Sequence, residues 1–416
     1  MRRLKFLLFL SFCIFLPYGA GAQESCVSAQ CHATLLQKKT VHPATESCDN
    51  CHESTATPHP QKGKQTFKLT QAVPELCSTC HDAFGAKAHV HPPVKEGDCT
   101  GCHDPHASDQ PKLLAQPLMD LCTTCHGDKV EFKNVHGPVA AGECTECHTP
   151  HESDTPKLLV KAGAQLCFGC HSDVQEALNK KDVHPPAAEG CTDCHNPHGS
   201  EHAKLLQAEG KELCFTCHSD ISDLIEKAKV VHPPVQTEKA CASCHSPHAS
   251  DNAKLLLKTG KELCVDCHKN IITARMTVVH GPIKEGICTP CHNPHASANE
   301  RLLVKEFRTD PYVAYNDKEY ELCFTCHNRD LLAYPDTSFA TNFRNGERNL
   351  HYVHVNKEKG RNCTFCHELH GSENAKLIAQ NVNFGKWKLP INFKKTDTGG
   401  SCSPGCHKPQ TYDRKK

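Results

Sequence analysis

Thirty cysteines of this 416-residue chain stand in fifteen pairs, and each pair is followed at once by a histidine. Thirteen have the spacing C-x-x-C-H: Cys48/Cys51/His52, Cys77/Cys80/His81, Cys99/Cys102/His103, Cys122/Cys125/His126, Cys144/Cys147/His148, Cys167/Cys170/His171, Cys191/Cys194/His195, Cys214/Cys217/His218, Cys241/Cys244/His245, Cys264/Cys267/His268, Cys288/Cys291/His292, Cys323/Cys326/His327 and Cys363/Cys366/His367. Two are stretched: Cys26/Cys31/His32 by two residues and Cys402/Cys406/His407 by one. Cysteines three apart share a face of a short helical turn, so two sulfurs can form thioethers to the two vinyl groups of one porphyrin. The adjacent histidine then projects beneath the iron as proximal ligand, which is the attachment signature of c-type haem.

Two other chemistries use similar spacing. Zinc ribbons also pair C-x-x-C knuckles, and Cys99/Cys102 with Cys122/Cys125 comes near their separation. Disulfide or thioredoxin-like chemistry uses C-x-x-C as well. Neither requires a histidine after every second cysteine.

The 32 histidines leave 17 beyond the fifteen in the motifs, enough for a second axial histidine at every iron. Methionine cannot fill that role on this scale, since only Met119 and Met276 follow Met1. The spare histidines recur at fixed offsets. Seven precede a motif, mostly in V-H-P-P or V-H-G-P: His42, His91, His136, His184, His232, His280 and His354. Proline after the histidine favours an extended approach to a haem held elsewhere. Six stand three residues after a motif histidine: His106, His151, His198, His248, His295 and His370, while His59 resembles the same element with an insertion. Such a histidine cannot swing to the opposite face of its own porphyrin, so it must serve another, which holds two irons on the order of 10 Å apart. His89, His202 and His351 fall outside both groups. His351, in N-L-H-Y-V-H, and His89, in H-V-H, suit the fifteenth site best, and His351 is assigned to it.

The elements that must position these groups repeat along the chain. Four units read V-H-[PG]-P, C-x-x-C-H-x-P-H-x-S, K-L-L, then L-C-x-x-C-H, beginning at His91, His136, His184 and His232. The step between first cysteines inside each unit is 23 residues, whereas the step between units varies from 22 to 27. The constant step marks a two-haem module and the variable step a joint. Degenerate units begin at His42, His280 and His354. The expected organisation is therefore a segment 1–22, a leading single-haem segment 23–41, five two-haem repeats over 42–279, and two extended repeats over 280–416. The expected fold is mostly irregular, with short α-helices and very little β, packed around buried haems. Short helices belong at each motif and before some V-H turns, as in Ser219 to Lys229. The paired leucines of K-L-L, such as Leu113-Leu114, are expected to pack on porphyrin faces.

Composition agrees with this plan. Hydrophobic residues are 38% only because the cysteines are counted, aromatics are 6%, and the mean hydropathy is −0.53. Such a chain cannot bury a core in proportion to its length, so the cofactors must supply one. Apart from Tyr18 every tyrosine lies beyond residue 311, as does Trp387, and the insertions 306–320, 331–350 and 381–400 have room for local packing. That region reads as an end cap for the array, or as a docking surface for a redox partner. Arg2, Arg3 and Lys5, an apolar run to Leu16, and Ala20-Gly21-Ala22 read as a signal peptide that carries away the remaining cysteine, Cys13. No later stretch is apolar enough to span a membrane. Lys and Arg equal Asp and Glu at 47 each, but three of the basic residues lie in the leader. With about −1 for each ferric bis-histidine haem, the holoprotein is roughly −18, which disfavours nucleic acid.

The motif C-T-x-C-H-x-P-H-x-S, followed by K-L-L and L-C-x-x-C-H, resembles the multihaem c-type cytochromes with doubled C-x-x-C-H motifs, over nearly all of the chain beyond the leader. The resemblance implies fifteen covalent haems c and transfer of electrons between low-potential, bis-histidine irons. It also implies residence in the periplasm or on the outer cell surface. Its partners would be other redox proteins: periplasmic or outer-membrane cytochromes, or a porin–cytochrome complex. A multihaem reductase with one open iron and a subunit of an extracellular cytochrome filament, or another homo-oligomer, are the rival readings.

Overall fold

The computed structural model describes Cys26, Val27 and residues 31–416; the signal-peptide segment lies outside the described residues. The chain divides into two compact units. One takes in the described residues up to Glu131 together with His136–Ala162, the other Phe132–Val135 and Gly163–Lys416.

Both units are irregular, built from short helices and small antiparallel ladders, without a barrel. The local reasons lie in the repeat. Proline or Gly-Pro after the V-H histidine sets φ for a first helical turn, and single turns follow at Pro92–Lys95, Gly137–Ala140, Pro185–Glu189 and Gly281–Lys284. Three of these turns end at Gly97, Gly142 and Gly286, with φ of +80°, +74° and +79°. A Cβ on Gly142 would stand 2.9 Å from Cβ of Met119, so glycine also admits the neighbouring motif helix, Leu118–His126. The second motif of a repeat closes a short helix, as in Val73–Ser78, Gly210–Phe215 and Gly260–Val265, each with a glutamate in its first turn where the helix dipole favours it. The first motif instead forms a single 3-10 turn, as at Cys144–Glu146, Cys191–Asp193 and Cys363–Phe365. The helix expected before one V-H turn occupies Ser219–Glu226.

Consecutive repeats are joined by two-residue strands. The pair of residues before each V-H histidine runs antiparallel to the pair after the x-P-H of the next repeat. In the first unit Thr40–Val41 pairs with Ala107–Ser108 and His89–Val90 with Glu152–Ser153. In the second unit four further ladders link 134–135 with 199–200, 182–183 with 249–250, 230–231 with 296–297, and 278–279 with 371–372.

Burial follows the sequence of packing-poor repeats and a richer end. Among the described residues thirteen apolar side chains are buried, five of them alanines. Both apolar clusters lie near the C-terminal end: Val313, Tyr320, Leu332 and Val355, and then Ala379, Val382 and Ile391. No helix among the described residues is long and apolar enough to cross a membrane.

Candidate functional site

Eleven of the C-x-x-C-H motifs are closed by their own backbone in the same way. The histidine N–H donates to the carbonyl of the first cysteine, at 3.1 Å for His103 to Cys99, 3.0 Å for His195 to Cys191 and 3.0 Å for His218 to Cys214. This places both thiols and the imidazole on one side of the turn. The stretched motif differs: Cys402 ends a strand, Gly399–Cys402, and His407 N–H reaches Pro404 instead.

The thirty cysteines, equivalent in the sequence, are not equivalent in the fold, and the polypeptide itself does not bury them as the expected interior of haems implied. Every one is exposed or half-buried. The division falls at the second cysteine of the motif. In the first motif of a repeat it is half-buried: Cys51, Cys102, Cys147, Cys194, Cys244, Cys291 and Cys366. In the second motif it is exposed: Cys80, Cys125, Cys170, Cys217, Cys267 and Cys326, and so are Cys31 and Cys406 of the stretched motifs. The cause is the segment after the motif. Following a first motif the chain folds back, and a backbone N–H donates to the carbonyl of the second cysteine: Thr70 to Cys51 at 3.0 Å, Ala115 to Cys102 at 2.9 Å, Val160 to Cys147 at 3.0 Å, and Gln207 to Cys194 and Leu257 to Cys244, both at 2.9 Å. A second motif ends its helix and runs on into the next V-H segment, without that cover. The exposed sulfur still lies near the covered one of its repeat, for Cys125 acts electrostatically on Cys102, Cys217 on Cys194, Cys267 on Cys244 and Cys326 on Cys291. The second motif of each repeat therefore presents its outer thioether position to solvent.

The motif histidines face the spare ones across a nearly constant gap. Ring centroids are 6.3 Å apart for His32 and His59, 5.9 Å for His81 and His42, 6.0 Å for His52 and His106, 6.2 Å for His126 and His91, and 5.9 Å for His103 and His151. In the second unit the gap is 6.2 Å for His218 and His184 and for His195 and His248, and 6.1 Å for His268 and His232 and for His245 and His295. It is 6.2 Å for His327 and His280 and 6.3 Å for His292 and His370. His351 lies beside His367, and His354 is within electrostatic reach of His407.

A gap of this size fits neither stacking nor a direct hydrogen bond. It fits one metal ion: a metal–nitrogen bond of about 2 Å plus about 1.1 Å from nitrogen to ring centre, taken twice, gives roughly 6.2 Å. Among the described residues no group of three or more His, Cys, Asp or Glu could hold a metal ion. The thiol pairs beside these rings match the two attachment points of a macrocycle, and among the described residues there is no four-ligand site of the kind tetrahedral zinc takes.

The doubled CXXCH motif family matches six segments, residues 42–86, 91–131, 136–176, 184–223, 232–273 and 280–331, together more than half of the chain. The chain belongs to this family. It is a multihaem c-type cytochrome, and the six matched pairs account for about twelve covalent haems c. A search of curated proteins finds no match.

Seen as doubled-motif repeats, the histidine pairs follow one rule. The V-H histidine faces the second motif of its own repeat: His42 to His81, His91 to His126, His184 to His218. The x-P-H histidine faces the first motif of the preceding repeat: His106 to His52, His151 to His103, His248 to His195. Hence the two partners of one repeat come from two repeats, and the strand ladder brings them together. The N–H of His42 donates to the carbonyl of His106 at 2.8 Å, with the same bond from His91 to His151 (2.8 Å), His184 to His248 (2.9 Å), His232 to His295 and His280 to His370 (both 3.0 Å).

The repeat that begins at His354 is supplied differently. His351 and His354 instead occupy one helix, Leu350–Val355, one turn apart. Its start is held by Asn349, fully buried, whose side chain accepts from the N–H of His351 and Tyr352. The first repeat shows the converse: His59 faces the leading motif histidine, and its Nδ1 lies 2.6 Å from Thr66 Oγ1. His89 sits in a strand opposite Ser153, and His202 has its Nδ1 3.9 Å from Glu209.

Residues outside the cysteine and histidine pattern orient the rings, and these the spacing did not mark. In six repeats Nδ1 of the first motif histidine donates to the carbonyl of the K-L-L lysine or its arginine equivalent: 2.9 Å for His103 to Lys112, His148 to Lys157, His195 to Lys204 and His292 to Arg301, 2.8 Å for His245 to Lys254, and 3.0 Å for His367 to Lys376. A carbonyl can only accept, so the proton stays on Nδ1 and Nε2 presents its lone pair. The carbonyl is aimed by two consecutive left-handed residues, such as Lys254 and Leu255 with φ of +59° and +58°. Non-glycine residues adopt that region only where their surroundings impose it. The imposing contact is the serine of x-P-H-x-S: Ser250 Oγ donates to Leu256 O at 2.5 Å, Ser297 to Leu303 and Ser372 to Ile378 at 2.6 Å. The proline of the same motif has a use too. Its carbonyl accepts from the V-H ring of the preceding repeat, His184 Nδ1 to Pro247 O (2.9 Å) and His232 Nδ1 to Pro294 O (2.8 Å). The sequence signal for these roles is the fixed distance of Ser and K-L-L from the motif.

The protonation state of these rings suits ligation. Burial, and after it the facing imidazole, holds His42, His91, His151, His248, His295 and His370 below the ordinary histidine value. For His351 burial and the neighbouring His367 lower it to about 4. Neutral imidazole is the metal-binding form.

Neighbouring motifs also meet through their first thiols. Donating a hydrogen bond to Cys241 pushes the Cys214 thiol up, and Cys363 stands in the same relation to Cys323. Burial and then Cys144 raise Cys122 to about 11, and burial and then Cys288 raise Cys264 to about 11. In each case the second motif of one repeat touches the first motif of the next.

Proposed function

We propose that the protein is an exported electron carrier holding fifteen haems c, every iron ligated by two histidines. Supporting this is the near-constant 5.9–6.3 Å gap between motif and partner imidazoles. Each haem, when bound, accepts and releases one electron. His32, His52, His81, His103, His126, His148, His171, His195, His218, His245, His268, His292, His327, His367 and His407 are the proximal ligands. Opposite them stand His59, His106, His42, His151 and His91 in the first repeats and His248, His184, His295, His232, His370, His280, His351 and His354 in the later ones. By their place in the sequence His136 and His198 belong to the same two groups of spare histidines as His91 and His151.

The polypeptide acts by placement. Its histidine pairs leave no sixth position for a substrate, its carbonyls keep Nδ1 protonated, and histidine in place of axial methionine lowers the potential. The first cysteines of successive motifs lie side by side, which would place neighbouring macrocycles close enough for hopping. Cysteine-bound haem of this kind is ordinarily assembled outside the cytoplasm, in keeping with the leader sequence.

Carbon monoxide titration of the fully reduced protein tests the reading. A carrier with every iron six-coordinate takes up none; stoichiometric uptake at one iron would establish the reductase reading instead.

A further inference from the structure

The last haem site is surrounded by charge of the opposite sign to the rest of the chain. Residues 381–416 carry eight Lys and Arg against two Asp, while residues 23–380 carry 36 against 45. The haem propionates make the remainder more acidic still.

The fold gathers these cations around one thioether strand. Gly399–Cys402, which ends in Cys402, is the middle strand of a three-stranded sheet. On one side it pairs with Lys394 and Lys395, both exposed; on the other it pairs with Gln410–Asp413, which leads into Arg414, Lys415 and Lys416. Lys408 follows the motif histidine His407 directly, and both are exposed. The hairpin Asn381–Phe384 and Trp387–Pro390 leans on the same loop, for a Cβ on Gly405 would lie 2.9 Å from Leu389. Its tip presents exposed Lys386 and Lys388 on either side of Trp387, whose side chain is 67% exposed. None of these lysines enters an ion pair among the described residues, whereas Lys38, Lys227, Lys229 and Lys258 elsewhere do.

A cationic rim with an exposed indole beside an exposed thioether is the composition of a transient docking face: charge steers and orients, and an aromatic anchor seats the partner. We propose that this face, formed by the sheet at Cys402 and the hairpin tip at Trp387, docks an acidic redox protein and passes electrons through the haem of Cys402, Cys406 and His407. The inference rests on the proposed haem at that stretched motif.

The molecule as a whole is acidic, so an acidic partner is repelled by the average charge and attracted only by this face. The sign of the salt dependence therefore decides. In stopped-flow oxidation of the reduced holoprotein by an acidic single-haem cytochrome, the second-order rate constant falls as salt is raised. The variant Lys386→Gln/Lys388→Gln/Lys394→Gln/Lys395→Gln lowers the low-salt rate about tenfold. A control variant, Lys161→Gln/Lys181→Gln/Lys269→Gln/Lys284→Gln, leaves it unchanged, and a basic single-haem cytochrome gains nothing from the first four lysines. A rate that rises with salt, or equal effects of the two variants, overturns the proposal. So does loss of binding to anionic phospholipid vesicles without any change in rate, which would make the face a lipid site. Intact mass separates the two levels of inference: a missing haem at Cys402/Cys406 defeats the fifteen-haem reading, whereas a full complement with an unaltered salt slope defeats the docking face alone.

Discussion

Replacing Asn349 with alanine should detach two haem ligands at once. The Asn349 side chain accepts from the N–H of His351 at 3.0 Å and of Tyr352 at 3.2 Å, and donates to the carbonyls of Leu331 at 3.1 Å and Tyr334 at 2.9 Å. It has no exposed surface. Alanine leaves two N–H groups at a helix start and two carbonyls without partners in a site closed to water. At about 1 kcal/mol for each, the cost is about 4 kcal/mol, near the upper end for a buried polar group and well above an ordinary N-cap. The helix it starts, Leu350–Val355, has six residues and cannot persist alone. His351 and His354 therefore lose their placement together, opening the irons of His367 and His407 while the repeats before residue 280 stay ligated. Carbon monoxide titration of the reduced variant should give uptake at two irons, against none in the parent, with an earlier first phase of thermal unfolding. No uptake and an unchanged melt would refute the role given to Asn349; uptake well beyond two would show that the helix supports more than its own two ligands.

Other substitutions probe the scheme one link at a time. His351→Ala should open a single iron, whereas His89→Ala and His202→Ala should open none; low-spin intensity in electron paramagnetic resonance reads the difference. Ser250→Ala removes the bond to Leu256, costs about 1 kcal/mol, and frees the Lys254 carbonyl that holds His245, so one haem potential should rise in spectroelectrochemical titration. Lys254→Gly relieves a left-handed backbone at φ +59° and should be neutral or stabilising by up to about 1 kcal/mol in chemical denaturation, the reverse of glycine's usual effect. Acidification has a defined sign at His351. Its value is about 4 in the fold and near 6.5 unfolded, so the unfolded chain takes up the proton first. Stability is full above pH 6.5 and declines as the pH falls toward 4, which unfolding midpoints at pH 7, 5.5 and 4.5 would reveal.

Much of the site was legible because covalent chemistry fixes spacing. C-x-x-C-H must be three and one apart whatever surrounds it, and a histidine three residues after His103 must look toward another iron. The fold class was readable for a related reason: repeats this lean in Leu, Ile, Val and aromatics cannot form large sheets or long helices. Which histidine meets which motif was not readable, since the choice depends on two-residue strands such as Thr40–Val41 and Ala107–Ser108, too short to leave a periodic signal. Nor did the spacing separate Cys147 from Cys170, identical in motif yet half-buried and exposed, because the difference lies in the backbone that folds back over Cys147. The use of K-L-L was missed for a different cause. Its leucines suggest packing, whereas the fold also employs the lysine carbonyl, which every residue type possesses. His351 illustrates both limits. Its place on the helix after Asn349 departs from the pairing between consecutive repeats, and the departure is visible only once that pairing is known.

Haem stoichiometry tests the central claim most directly. The six matched repeats carry twelve motifs, and the claim adds those ending in His32, His367 and His407. Intact mass of the denatured holoprotein, in which only thioether-bound haem remains, should show fifteen haems on a chain lacking residues 1–22. Twelve haems, or a mixture centred there, would contradict the account.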